Sequence, residues 1–583
     1  MRKRKVFLSG ILAVTMILSI TACGGGASKN DSASGTVTST AKNSLVSSSA
    51  SAGNASASVE GEEKDAEQYI NAFVNADPAS IDAQKGSDIY GNVIVNGIYE
   101  PLLRLSEKPD GMTELIPAGA SEYKVSDDKT VYTFTIRDGM TWEDGQALTA
   151  KDYEYGIKRA ADPNTAAEQG FLLAPIKNFS KVNSGKAGVD ELGVKAIDDK
   201  TLEITLEAPT SYFMKLLPFR IMFPQRKDIV EQYGETFGAE ADTVMGCGPY
   251  KLTEWNHNSN LTLEKSDTYW DKENVMNDTV NIRVMSDVNT VMNAFQTGEI
   301  DVVSTSLEEW REKFNNRENT KSAKILLPSV DYMTINHKDK LLSNKKIRQA
   351  LLIALDRKGF NETFFKGKNI EALHWVPGCI SCGDVNYREF AGEPVKKVAE
   401  ANPDPKKLFI EGMKELGLGE DPSKVEINFI CVSNPRLKSF GEYIQECYSK
   451  VLGINLKIEQ MEWPILSGKV NKGDYQLAYL AWTADYDDPS AMLALFTSNA
   501  EAVNTGWKNE KYDNLIKDAS EASDMSKAAE LYKEAEELLM DEAVVIPIIN
   551  GESTMYWNDY MRNVTLNQFT STGYKPRYTV GRP

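Results

Sequence analysis

An α/β fold is what this sequence predicts, and three observations carry the prediction. Apolar residues alternate with polar ones at 131–136 and again across 196–206, the period of half-buried strands. Ile347, Ala350, Leu351, Ala354 and Leu355 recur at helical spacing, as do Ala528, Leu531, Tyr532, Ala535, Leu538 and Leu539. That second helical run gives way at once to the apolar strand pattern Val544–Ile549.

Each element has local signals. Asp127, Asp128 and Lys129 supply a turn before Val131–Ile136, and Asp198, Asp199 and Lys200 repeat the device inside the second hairpin. Thr149 and Asp152 have capping-box spacing, so a helix is expected from there through Arg159. The helix containing Ile347 should end near Asp356. Gly246 and Gly248 resemble a glycine fingerprint, but Pro249 breaks it, and a turn before a strand fits better. No low-complexity break divides residues 67–583, so any domains in that stretch are wound together.

The 583 residues carry 65 Lys and Arg against 84 Asp and Glu, a formal charge of −19. A chain this acidic lacks the basic face that nucleic-acid binding needs. With only His257, His337 and His374, a multi-histidine metal centre and histidine acid–base chemistry are both disfavoured. Neither GxSxG, HExxH, GxxxxGK[ST] nor GxGxxG occurs. The acid pairs Glu308–Glu309 and Asp487–Asp488 read as solvated charge. A glycosidase pair stays open, because its two carboxylates can be distant in the chain. Cys379 and Cys382 have redox or half-metal-site spacing, but no second CxxC accompanies them, and they read as a free or locally bridged surface loop. No catalytic residue, metal site or cofactor is therefore expected.

The N-terminus reads as an address. Arg2, Lys3, Arg4 and Lys5 precede an uncharged, mostly apolar stretch at 6–22, short for the ~20 residues of a spanning helix. Ile20-Thr-Ala-Cys23-Gly resembles a bacterial lipobox, in which the cysteine receives diacylglycerol. Lipid on Cys23 would hold the mature chain at the outer face of the cytoplasmic membrane. Residues 23–65 are rich in Ser, Gly and Ala, contain no aromatic residue, and are expected to form a disordered tether. A chain of that kind spans roughly 35 Å rms.

Eleven segments then fall in one order. They are Asp77–Asp82 (DPASID), Ile98–Leu103 (IYEPLL), Tyr132–Gly145 (YTFTIRDGMTWEDG), Leu148–Tyr153 (LTAKDY), Ala161–Ala166 (ADPNTA), Leu192–Asp199 (LGVKAIDD), Gly248–Leu252 (GPYKL), Tyr269–Trp270, Gly298–Asp301 (GEID), Ile347–Arg357 (IRQALLIALDR) and Trp482–Pro489 (WTADYDDP). Together they resemble the extracytoplasmic solute-binding proteins of family 5, and within them the oligopeptide-binding proteins of peptide ABC importers. The resemblance implies a two-lobed periplasmic-binding-protein fold of the large peptide-binding type. A signal peptide at 1–22 and the tether at 23–65 would precede a discontinuous core domain of lobe 1 at 66–95, 216–328 and 549–583. An extra domain would occupy 96–215, and lobe 2 would occupy 329–548.

The same resemblance implies a site. A general peptide binder must grip an α-ammonium and a backbone, and strand pairing holds a backbone whatever its side chains. In the family, the W-x-A-D-Y segment does both. Carried over, Asp485 meets the ligand's ammonium while Trp482, Thr483 and Ala484 pair with its backbone. The bland reading of Asp485 is a turn or N-cap carboxylate before Pro489. Some relatives carry an Arg where this chain has Tyr479, so neutralisation of the ligand's carboxylate is left open. Others place a disulfide where this chain has Ser329 and Thr483, so no bridge is expected there. The implied partners are an oligopeptide and the transmembrane subunits of an ABC permease with their ATPases. The protein would act as a monomer. Another family-5 ligand (dipeptide, sugar, haem or nickel chelate) and, from a different class, an anchored surface hydrolase are the alternatives.

Overall fold

The computed structural model describes residues 63–86, 88–108, 111–500, 503–569 and 573–583. The leader, Cys23 and the tether up to residue 62 lie outside the described residues. Among those described, no helix is long and apolar enough to cross a membrane.

The expected strand at 131–136 forms as Val131–Ile136, with Tyr132, Phe134 and Ile136 buried on one face. It sits in a four-stranded antiparallel sheet ordered Ala120–Val125, Val131–Ile136, Thr201–Thr205, Val194–Ala196, so the predicted hairpin closes on the predicted strand. At its turn, Asp128 Oδ1 accepts from Ser126 Oγ at 2.6 Å and Thr130 N at 3.1 Å. The helix Ala150–Ala161 begins as its cap predicts. Asp152 Oδ2 accepts from the Thr149 N–H at 2.7 Å and hydroxyl at 3.0 Å.

A second sheet is ordered Tyr69–Val74, Thr279–Val284, Asn260–Lys265, Tyr250–Asn256, the first pair parallel and the rest antiparallel. The Gly246–Gly248 turn leads into its last strand. Both Cys247 N and Gly248 N donate to Ile98 O. A Cβ on Gly248 would lie 2.6 Å from the Ile98 carbonyl carbon, so only glycine allows this approach.

The largest sheet joins the two halves of the molecule. Its order is Val302–Thr305, Val545–Asn558, Thr320–Ile335, Leu477–Thr483, Glu426–Val432, Asn455–Met461. The apolar run expected at 544–549 is thus the first part of a strand that continues to Asn558. It and Thr320–Ile335 pair over most of their lengths, with a register break between Leu326 and Val330. At one end they pack with a core built from Met292, Phe295, Trp310, Phe314 and Tyr556. At the other they enter the main core, beneath the helices Lys345–Ala354 and Met525–Asp541 that the periodicity predicts.

Candidate functional site

The strand Leu477–Thr483 is antiparallel to the crossing strand Thr320–Ile335, with Val330 opposite Trp482 and Ser329 opposite Thr483. On its other side it pairs with Glu426–Val432 only through Leu477 and Ala478. Beyond Ala478 no strand pairs with that edge among the described residues. Ala484 N donates to Pro328 O at 2.7 Å, which fixes the phase of the strand. Alternation then turns the backbone groups of Trp482 and Ala484 toward Thr320–Ile335, and those of Ala481 and Thr483 toward the open edge. Thr483 is therefore the expected pairing residue with its N–H and C=O available. Ala481, not singled out by the sequence, is the second. Trp482 contributes a half-buried indole whose N–H has no partner among the described residues.

Asp485 follows the strand. It is half-buried, and burial pushes its carboxyl up to about 6. No hydrogen bond or ion pair to its side chain is found among the described residues. The role of turn carboxylate falls instead to Asp488, whose Oδ1 accepts from Ser490 N at 2.9 Å and Ser490 Oγ at 2.7 Å. Asp487 is also committed: Oδ1 accepts from Ser381 N at 2.6 Å, and Oδ2 from Ser381 Oγ at 2.5 Å and Thr113 Oγ1 at 2.7 Å. Lys215 donates to the Asp487 carbonyl, and Tyr486 stacks on Tyr212 with ring centroids 5.1 Å apart. The turn is thus clamped by groups from both 96–215 and 329–548, and of its three acids only Asp485 receives no hydrogen bond among the described residues, although the buried Oδ2 of Asp488 also lacks a partner.

This corrects one sequence expectation. Asp487 and Asp488 are 1% and 0% exposed, so they are buried structural acids rather than solvated charge. The partners of Asp487, namely Thr113, Lys215 and Ser381, are far away in sequence, and no local pattern announces them.

Comparison with known proteins gives these observations a family. Over residues 114–504, well over half the chain, the sequence matches the family described as bacterial extracellular solute-binding proteins, family 5 Middle. The chain belongs to this family. It is 30% identical over 503 residues to the oligopeptide-binding protein OppA of Bacillus subtilis (strain 168), covering 85% of this chain and 90% of that one. It is 33% identical over 497 residues to the dipeptide-binding protein DppE of the same organism, covering 85% and 89%. A solved structure of Listeria monocytogenes OppA bound to peptide superposes with a TM-score of 0.68 at 30% identity, covering 89% of this chain and all of that one. The fold is the two-lobed α/β fold of family-5 solute-binding proteins.

Two departures from family pattern now have a local account. Tyr479, where some relatives carry Arg, is buried, and its hydroxyl donates to Asp331 Oδ2 at 2.7 Å. Burial pushes the Asp331 carboxyl up, and the nearby Arg436 guanidinium pulls it back. Ser329 and Thr483 stand directly opposite each other in register, where a bridge would have to form. Cys379 and Cys382 are free thiols. Cys382 is fully buried, so this is not a surface loop throughout; burial pushes both thiols up to about 12. Ser381, which lies between them, is the residue that clamps Asp487. No group of three or more His, Cys, Asp or Glu able to hold a metal occurs among the described residues.

Proposed function

We propose that this family-5 solute-binding protein captures oligopeptides between its lobes and delivers them to an ABC permease, with no covalent chemistry of its own. The observation that carries the reading is Asp485, a desolvated carboxylate without a partner at the end of a strand whose outer edge is open. An extended peptide laid along Ala481 and Thr483 would gain main-chain hydrogen bonds, and its α-ammonium would reach Asp485. Core domain 66–95, 216–328 and 549–583, extra domain 96–215 and lobe 2 at 329–548 are the bodies that would close on it. Lipid on Cys23 would tether the protein to the outer face of the cytoplasmic membrane, beside its permease.

A charge-assisted hydrogen bond is worth roughly 1.5–3 kcal/mol. Asp485→Ala should therefore weaken a free-amine peptide by about ten- to a hundredfold. Acetylating the peptide removes the other partner, so the two changes should be non-additive in isothermal titration. Full additivity would remove Asp485 from the site.

Dipeptides are the second reading, favoured by the 33% identity to DppE against 30% to OppA. Mass spectrometry of ligand co-purified with the protein decides between them.

A further inference from the structure

The turn that carries Asp485 is tied on both sides within 329–548 and its approach. Before it, Ala484 N donates to Pro328 O at 2.7 Å. After it, Asp488 holds Ser490 and Asp487 holds Ser381. Asp485 stands between these ties with burial as the one influence on its carboxyl. Its place is therefore set by its neighbours in the chain. Binding geometry has to be held to within about 0.5 Å, and a carboxylate with no bond of its own depends on the residues around it for that.

The rest of the grip on those neighbours comes from 96–215. Thr113 Oγ1 donates at 2.7 Å to Asp487 Oδ2, the same oxygen that accepts from Ser381 Oγ. The Lys215 ammonium donates to the Asp487 carbonyl and, at 3.4 Å, to both Ser381 O and Ser381 Oγ, so one cation spans two segments of lobe 2. Tyr212 stacks on Tyr486, the residue next to Asp485, with 19° between the ring planes. Ser211 N donates to Ser520 O at 2.6 Å close by.

These groups are fixed on their own side. Thr113 opens the strand Thr113–Pro117 and lies opposite Glu107 in its antiparallel pair with Leu103–Glu107. Tyr212 caps the short helix Phe213–Leu216 that contains Lys215. Phe213 and Leu216 anchor that helix in the core, Phe213 with its ring centroid 4.8 Å from that of Tyr132. Among the described residues no strand of 96–215 shares a sheet with a strand of 329–548. The contact is made largely of side chains, the kind that two bodies can form and release.

We propose that Thr113, with Lys215 and Tyr212, is a positioning residue for Asp485: the extra domain completes the grip on the 485–488 turn, so the ammonium site takes its binding geometry only where 96–215 meets 329–548. This rests on the reading of Asp485 as the partner of the peptide's ammonium. Thr113 acts through Asp487 and does not touch the ligand.

Isothermal titration of the full-length protein with tetra-alanine and with N-acetyl-tetra-alanine tests it. The quantity read is the ratio of the two affinities, the preference for a free amine. Thr113→Val removes the hydroxyl and keeps the shape and the charge. It should lower the ratio by about two- to tenfold, the scale of one hydrogen bond. Thr113→Ser keeps the hydroxyl and should keep the wild-type ratio. Should Thr113→Val not fold, Tyr212→Leu makes the same comparison by removing the stack on Tyr486. A ratio that stays at the wild-type value, whether the two affinities fall together or not at all, overturns the positioning role and leaves the Asp485 reading intact, because a contact that merely joins the two bodies would act on both peptides alike. A ratio lowered as far by Thr113→Ser as by Thr113→Val overturns it as well. A wild-type ratio near one overturns the Asp485 reading itself, and this inference with it.

Discussion

The pH dependence of peptide binding should report Asp485 directly. Burial alone raises its carboxyl from an ordinary value of 3.8 to about 6 in the unliganded protein. An α-ammonium needs the ionised form. The apparent affinity is therefore the intrinsic one reduced by the ionised fraction, a penalty of about twofold at pH 6 and roughly tenfold at pH 5. With a carboxyl of ordinary acidity the loss at pH 5 would be under about 10%. The peptide's own amine loses its proton above about pH 8, so affinity should follow a bell with limbs near 6 and 8. The same raised carboxyl has a sign in stability. The folded, empty protein holds the proton more tightly than the unfolded chain does, so Asp485 favours folding below about pH 4 and that contribution is lost as pH rises through about 6. Bound ammonium reverses this by pulling the carboxyl down, and binding below about pH 6 should release a proton. Titration calorimetry from pH 5 to 9 on wild type and Asp485→Asn checks it. The acid limb should disappear in the variant. A wild-type affinity flat from pH 7 to 5, or an acid limb unchanged in Asp485→Asn, would refute the assignment of Asp485 to the ligand.

Two further outcomes are expected. Cys23→Ser should abolish lipid modification and move the protein out of the membrane fraction, read by intact-mass spectrometry and fractionation; a variant with the wild-type lipid-modified N-terminus would overturn the anchor. Asp487→Ala removes the acceptor for Ser381 N, Ser381 Oγ and Thr113 Oγ1, and should cost about 1–3 kcal/mol, seen as a lower urea midpoint with unchanged slope.

The parts of the fold that were legible in the sequence are those decided by neighbours in the chain. The hairpin at 194–205, the capped helix at 150–161 and the helices at 345–354 and 525–541 each carry their period and their stop signal within a dozen or so residues. The crossing pair Thr320–Ile335 and Val545–Asn558 was not legible. Its partners are more than two hundred residues apart, and the second half of Val545–Asn558 contains Asn550, Glu552, Ser553 and Thr554, which read as loop until Thr320–Leu326 is laid beside them.

The three acids at 485, 487 and 488 show where the sequence runs out at the site itself. Within one short turn they are the same residue type with the same local context, and spacing cannot rank them. The resemblance selects Asp485; without it Asp485 reads as a turn or N-cap carboxylate and Asp487–Asp488 as solvated charge. Structure separates them by what each already holds. Asp488 caps Ser490 through Oδ1, with its buried Oδ2 left without a partner, and Asp487 ties Ser381 to Thr113. Burial raises the carboxyls of both Asp485 and Asp488, but only Asp488 receives hydrogen bonds from the chain, and in the proposed reading the cation that answers Asp485 comes from the ligand. A binding residue in this fold is recognised less by what it is than by a buried charge or donor that the protein itself does not answer.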